Sequence, residues 1–101
     1  MLAIQIDDHH LWWVQGRLFD RLIDATLADG APEEMNTWRN RADANGGLDL
    51  TLLEPEKAEW LRSVLTTTAQ REIARLGEPD PSTPDGGYVI ALRRLLEPQA
   101  S

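Results

Sequence analysis

Residues 53–77 read LEPEKAEWLRSVLTTTAQREIARLG, and this stretch decides what kind of fold the chain can make. Ala58, Leu61, Val64, Leu65, Thr68, Ala69 and Leu76 recur at three- and four-residue spacing, so they line one stripe of a helix. Both ends are punctuated. Pro55 suits a first helical position, where its missing N–H would have had no partner. Glu56 and Glu59 set negative charge near the positive end of the helix dipole, and Arg71 and Arg75 set positive charge near the other. Gly77 is available as the left-handed residue that closes the helix. Thr66, Thr67 and Thr68 weaken its middle, because β-branched side chains lose rotamer freedom there, and a bend near Thr67 is expected. Glu72 falls on the apolar stripe, where a carboxylate either reaches solvent or pairs with an arginine.

Upstream, Leu48, Leu50 and Leu52 alternate with Asp49 and Thr51, which predicts a strand over 48–52. Asn45-Gly46-Gly47 before it stops a helix that Pro32 opens, with Met35, Trp38 and Ala42 as its narrow apolar seam. At the N-terminus Leu2, Ile4 and Ile6 alternate in the same way, predicting a strand over 2–6 that pairs with 48–52. Asp7 and Asp8 then offer capping oxygens for a helix from about His9 to Ala28, whose apolar arc runs through Leu11, Val14, Leu18, Leu22 and Ala25. Gly16 interrupts that helix, as it would where another backbone comes close. Downstream, residues 77–87 form a proline- and glycine-rich connector. Thr83, Pro84 and Asp85 have the order of cap, first helical residue and acidic first turn, so a last helix is expected from Pro84 to Glu97. A short strand from Tyr88 to Leu92 is its rival, and Pro98 begins a tail over 98–101.

These elements add up to a single small domain over 1–101. It is α+β and predominantly α, with about four helices and a minor two-stranded sheet; an all-α small helical bundle is the alternative. Helices 11–28 and 55–76 should form the central pair, through Leu11, Leu18, Leu22, Leu61, Val64 and Leu65.

Composition narrows the function. The chain has 101 residues, of which 42% are hydrophobic, enough for one core without staples. It contains no cysteine, which excludes disulfides, thiolate metal sites and thiol nucleophiles and fits a reducing cytoplasm. No apolar run approaches the roughly 20 residues that span a bilayer, and the N-terminus lacks the pattern of a secretory signal. A net charge of −7, with acids and bases interspersed, argues against direct contact with nucleic acid or an anionic membrane. Nine of the ten basic residues are Arg. With abundant Ala, Leu and Gly, that bias fits a GC-rich bacterial genome.

Trp13 stands apart. On a helix it would lie about 200° from Leu11, in the middle of the charged face and one turn from Arg17. Either a later segment covers it, or it stacks on Arg17, or it meets a partner, since Trp is enriched in interface hot spots. Trp12, Trp13 and Arg17 are therefore the candidate partner-binding residues. Asp7, Asp8, His9 and His10 are the one local cluster of metal-type ligands. Adjacent histidines diverge by about 100° on a helix and no third histidine exists, so the cluster remains a weak metal candidate and no cofactor is expected. No serine sits in a Gly-x-Ser-x-Gly elbow, and no Gly-rich loop has phosphate-binding form.

Sequence alone thus favours a small, acidic, non-enzymatic protein-binding, adaptor or regulatory domain in the cytoplasm. A DNA-mimic-like inhibitor of a basic nucleic-acid-binding protein is the first alternative, and a small metal-dependent protein using His9 and His10 the second. The unblunted edge of residues 2–6, or the Trp12/Trp13 side of the first helix, would make a homodimer contact.

Overall fold

The computed structural model describes residues 1–78 and 80–97. Among these, the order is β1 (Leu2–Asp7), β2 (His10–Val14), α1 (Gly16–Ala28), α2 (Glu34–Asn45), β3 (Gly47–Asp49), a 3-10 turn (Leu50–Leu52), α3 (Pro55–Leu76) and α4 (Pro84–Leu96). The fold is mostly helical with a minor sheet, as the periodicity predicts, but the sheet has three strands in the order β2-β1-β3. Pro98 and the tail that follows it lie outside the described residues.

The extra strand comes from the segment expected to begin the first helix. His10, Trp12 and Val14 are buried while Trp13 is exposed and Leu11 partly so, a period of two. Five residues are too few to separate this period from that of a helix, because Leu11, Val14 and Leu18 also fall at helical spacing. Trp and Val favour the pleated surface, and a hairpin turn is ready-made. Asp7, expected to cap a helix, instead accepts the backbone N–H of His9 at 2.8 Å and folds the chain back on itself. Gly16 is the first residue of α1 rather than an interruption, and a Cβ there would meet nothing within 4 Å. It marks a boundary, not a close approach.

β1 is the central strand. β2 runs antiparallel to it, with Leu2 opposite Val14, Ala3 opposite Trp13 and Ile4 opposite Trp12. β3 runs parallel on the other side, with Ala3 beside Gly47 and Gln5 beside Asp49. The expected pairing of the two segments is therefore present, but both edges of residues 2–6 are occupied. The edge-to-edge homodimer contact expected there has no free edge to use. β3 is also shorter than the predicted 48–52, because the Asp49 carboxylate accepts the N–H of Thr51 at 2.9 Å and turns the chain into the 3-10 turn. Gly47 is required where it stands: a Cβ would lie 2.1 Å from the Ala3 carbonyl oxygen of β1.

The helices cover one face of the sheet. Ile4, Trp12 and Val14 meet Phe19, Leu22 and Ile23 of α1, Leu61 and Leu65 of α3, and Leu92 and Leu95 of α4 in one buried cluster. α3 occupies the span its sequence predicts, from Pro55 to Leu76, and packs most extensively on α4. The expected central pair is only partly realised. Leu22, Leu61 and Leu65 are buried, Leu18 and Val64 pack at the core's margin, and Leu11 belongs to β2. No helix of the described residues is long and apolar enough to cross a membrane.

Candidate functional site

The uncovered side of β2 is built by the ladder itself. The N–H of Ala3 donates to the Gly46 carbonyl at 3.2 Å, and the Ala3 carbonyl abuts Gly47, so both backbone groups of Ala3 face β3. Within a strand these directions alternate from residue to residue. Leu2 and Ile4 therefore bond to Val14 and Trp12, while Ala3 and Gln5 form non-bonded pairs with Trp13 and Leu11. The N–H and C=O of Trp13 and of Leu11 consequently face away from β1, along the open edge of the sheet. Neither residue makes a backbone hydrogen bond elsewhere among the described residues.

Trp12 and Trp13 have opposite fates, as neighbours on a strand must. Trp12 is 1% exposed, donates its indole N–H to the Ala91 carbonyl of α4 at 2.9 Å and packs edge-on against Phe19. It is a core residue and offers no surface to a partner, which corrects its place among the contact candidates. Trp13 is 51% exposed on the solvent face. No segment of the described chain buries it.

A groove of about 420 Å³ opens beside Trp13, between the end of β2 and the start of α4. Trp13, Pro81, Pro84 and Ile90 give it apolar walls, and Arg17 and Arg94 line it as well. Trp13 and Arg17, singled out from sequence on helical grounds, do come together here, but as neighbours of one groove rather than a stacked pair. The cation–aromatic pairs lie elsewhere, Arg21 over Tyr88, Arg41 over Trp38 and Lys57 over Trp60. Arg94, Ile90 and the two prolines could not be read from the sequence as site residues, because only the packing of α4 along β2 brings them there. The sequence feature that bears on them is the adjacent pair Arg93-Arg94 in the last turn of α4.

The electrostatics of the groove oppose those of the whole molecule. Five basic side chains are held in ion pairs: Arg21 with Asp85, Arg39 with Asp24, Lys57 with Glu34, Arg71 with Asp29 and Arg75 with Glu72. Arg17 and Arg94 are in none among the described residues. Among the described residues the Arg17 side chain donates only to the neutral Gln15 side chain, at 3.1 Å. Gln15 leaves the N-terminus of α1 without a side-chain cap, and no acid stands in its first turn. The positive end of that helix therefore adds to Arg17 instead of being offset.

The metal-type cluster is not assembled. His10 is buried, and its Nε2 donates to the Arg94 carbonyl at 3.0 Å, in the last turn of α4; His9 is exposed. Among the described residues no three His, Asp or Glu side chains gather as ion ligands.

A second polar group lies between α3 and α4. Tyr88 is fully buried and donates its hydroxyl to Glu72 at 3.1 Å, while Arg75 donates to the other Glu72 oxygen at 2.8 Å. Arg75 chiefly, and Tyr88 after it, hold the Glu72 carboxyl below its usual range against the opposing effect of burial. Burial, then the Glu72 charge, push the Tyr88 phenol up, so it stays a donor. The network ties two helices. A depressed carboxyl adds stability that is present above its unfolded value near 4.5 and lost as the pH falls through the folded value. In denaturant unfolding, the stability gap between wild type and Glu72→Gln is therefore expected to narrow progressively as the pH falls below the unfolded value near 4.5. A gap that does not narrow at any pH below that value contradicts this role.

No family model, curated protein or solved structure matches the chain. What the groove can do follows from its own chemistry. It offers an aromatic plate, two guanidinium groups that no ion pair holds among the described residues, and outward-facing backbone donors and acceptors.

Proposed function

We propose that the chain is a non-enzymatic protein-binding or adaptor domain that docks its partner on the open flank of β2, with Trp13 at the centre. The observation that carries this reading is Trp13 itself, half exposed on an edge strand beside a groove while every large neighbour on β1 and β2 with the opposite orientation is buried. Exposed Trp is costly to leave in water and is the residue type most enriched where binding energy concentrates. The remaining surface is acidic, which keeps the domain soluble between encounters. The absence of cysteine fits work in a reducing cytoplasm.

Affinity capture from a bacterial lysate tests it, with wild type and Trp13→Ala compared as baits. Wild type is expected to retain a partner whose affinity falls by about 2 kcal/mol, roughly thirtyfold, in the variant. A partner held equally by both baits, or none held by wild type, contradicts the reading.

A further inference from the structure

We infer that the partner presents an extended acidic segment, which adds to the open edge of β2 as a fourth strand. This rests on the docking reading above and names the chemistry of what docks. Three independent features converge. The outward N–H and C=O of Leu11 and Trp13 are the unfilled half of a β-ladder, and an added strand fills such groups with main-chain hydrogen bonds whatever its sequence. Nothing in His10–Val14 guards the edge, since it contains no Lys, no Pro, no Asp and no Glu, and its inward-pointing His10 is tied to α4. The groove that runs from this edge to α4 supplies selectivity. Trp13 and Ile90 take an apolar side chain, and Arg17 and Arg94, unpaired among the described residues, take carboxylates.

Charge decides between the possible occupants. A second copy joined edge to edge at β2 would set Arg17 and Arg94 against the same residues of its partner, and would set one charge of −7 against another. A basic segment would meet two arginines unpaired among the described residues and the positive end of α1. An acidic segment meets its complement. The acids elsewhere on the domain oppose its approach from a distance, but at physiological salt they are screened beyond about 8 Å.

The test uses the full chain, labelled with nitrogen-15, at physiological salt, with three capped seven-residue peptides as probes. One alternates glutamate with valine, one alternates lysine with valine, and one is the glutamate peptide with its central residue replaced by proline. The glutamate peptide is expected to bind saturably and to slow amide exchange at Leu11 and Trp13 at least tenfold. The lysine and proline peptides are expected to bind at least tenfold more weakly. Arg17→Glu combined with Arg94→Glu, both exposed positions, should reverse the preference between the two charged peptides. Equal binding of the two, binding that leaves the Leu11 and Trp13 amides unaffected, or no binding at millimolar peptide overturns the inference. So does protection of those amides in the peptide-free protein together with a dimer mass. If the peptides fail while Trp13→Ala still loses a captured partner, the acidic strand is wrong and the docking reading stands. If Trp13→Ala keeps its partner, the docking reading falls first.

Discussion

Trp12→Ala is expected to cost about 3–5 kcal/mol in denaturant unfolding, the range for truncating a large aromatic in a packed core. A domain of this length holds roughly 5–15 kcal/mol in all, so the variant should be marginal or unfolded at physiological temperature. Two features place Trp12 at the upper end. Its ring is 1% exposed and wedged between the sheet and α4, so the neighbours cannot close the cavity without moving a helix. Its indole N–H is also one of two side-chain bonds from β2 to α4, the other being His10 to the Arg94 carbonyl. Trp12→Phe separates the contributions: it retains most of the buried area and loses the hydrogen bond, for about 1 kcal/mol plus a small cavity. If Trp12→Ala unfolds at the same denaturant concentration as Trp13→Ala, the assignment of inward and outward faces on β2 is wrong.

The adjacent glycines Gly86 and Gly87 are expected to respond to alanine in opposite directions. Both lie in the first turns of α4 with ordinary helical backbone, where alanine is normally the better residue by about 1 kcal/mol. At Gly87 a Cβ meets nothing within 4 Å, so Gly87→Ala should stabilise by about that amount. At Gly86 a Cβ would lie 1.6 Å from the Asp80 carbonyl oxygen, a position no rotamer can relieve. That carbonyl accepts both the N–H and the hydroxyl of Thr83, each at 3.0 Å, and Thr83 in turn caps α4 by accepting from the Gly86 N–H. Pushing Asp80 away therefore dismantles the cap as well as the turn. A loss of about 3 kcal/mol is expected for Gly86→Ala, measured by thermal or chemical unfolding. Equal effects at the two positions would contradict the close approach of residue 80 to α4.

Much of the architecture is legible in the sequence wherever a period runs long enough. α3 shows its bounds because more than five turns of consistent spacing end in Pro55 at one side and Gly77 at the other. α4 shows its start through Thr83-Pro84-Asp85, although Gly86-Gly87 looks like an argument against a helix until the Asp80 carbonyl explains the first of them. The N-terminal third is where local pattern misleads. His10–Val14 is short, its apolar positions fit both periods, and its strand form depends on β1 lying alongside, which no local feature reveals. Once that segment is a strand, the faces exchange: Trp12 turns inward and Trp13 outward for a different reason from the one helical geometry suggests. The candidate site was half legible for the same cause. Trp13 and Arg17 are near in sequence, whereas Arg94 reaches them only because α4 packs along β2.

Amide hydrogen exchange of residues 10–14 in the free protein tests most directly the claim that this segment is an edge strand with an open side. Trp12 and Val14 are expected to be protected through their bonds to Ile4 and Leu2, and Leu11 and Trp13 to exchange quickly, giving an alternating pattern over four successive residues. Uniform protection from Leu11 through Val14 and on into α1 would mean that the first helix begins near His9, and would remove both the edge and the groove.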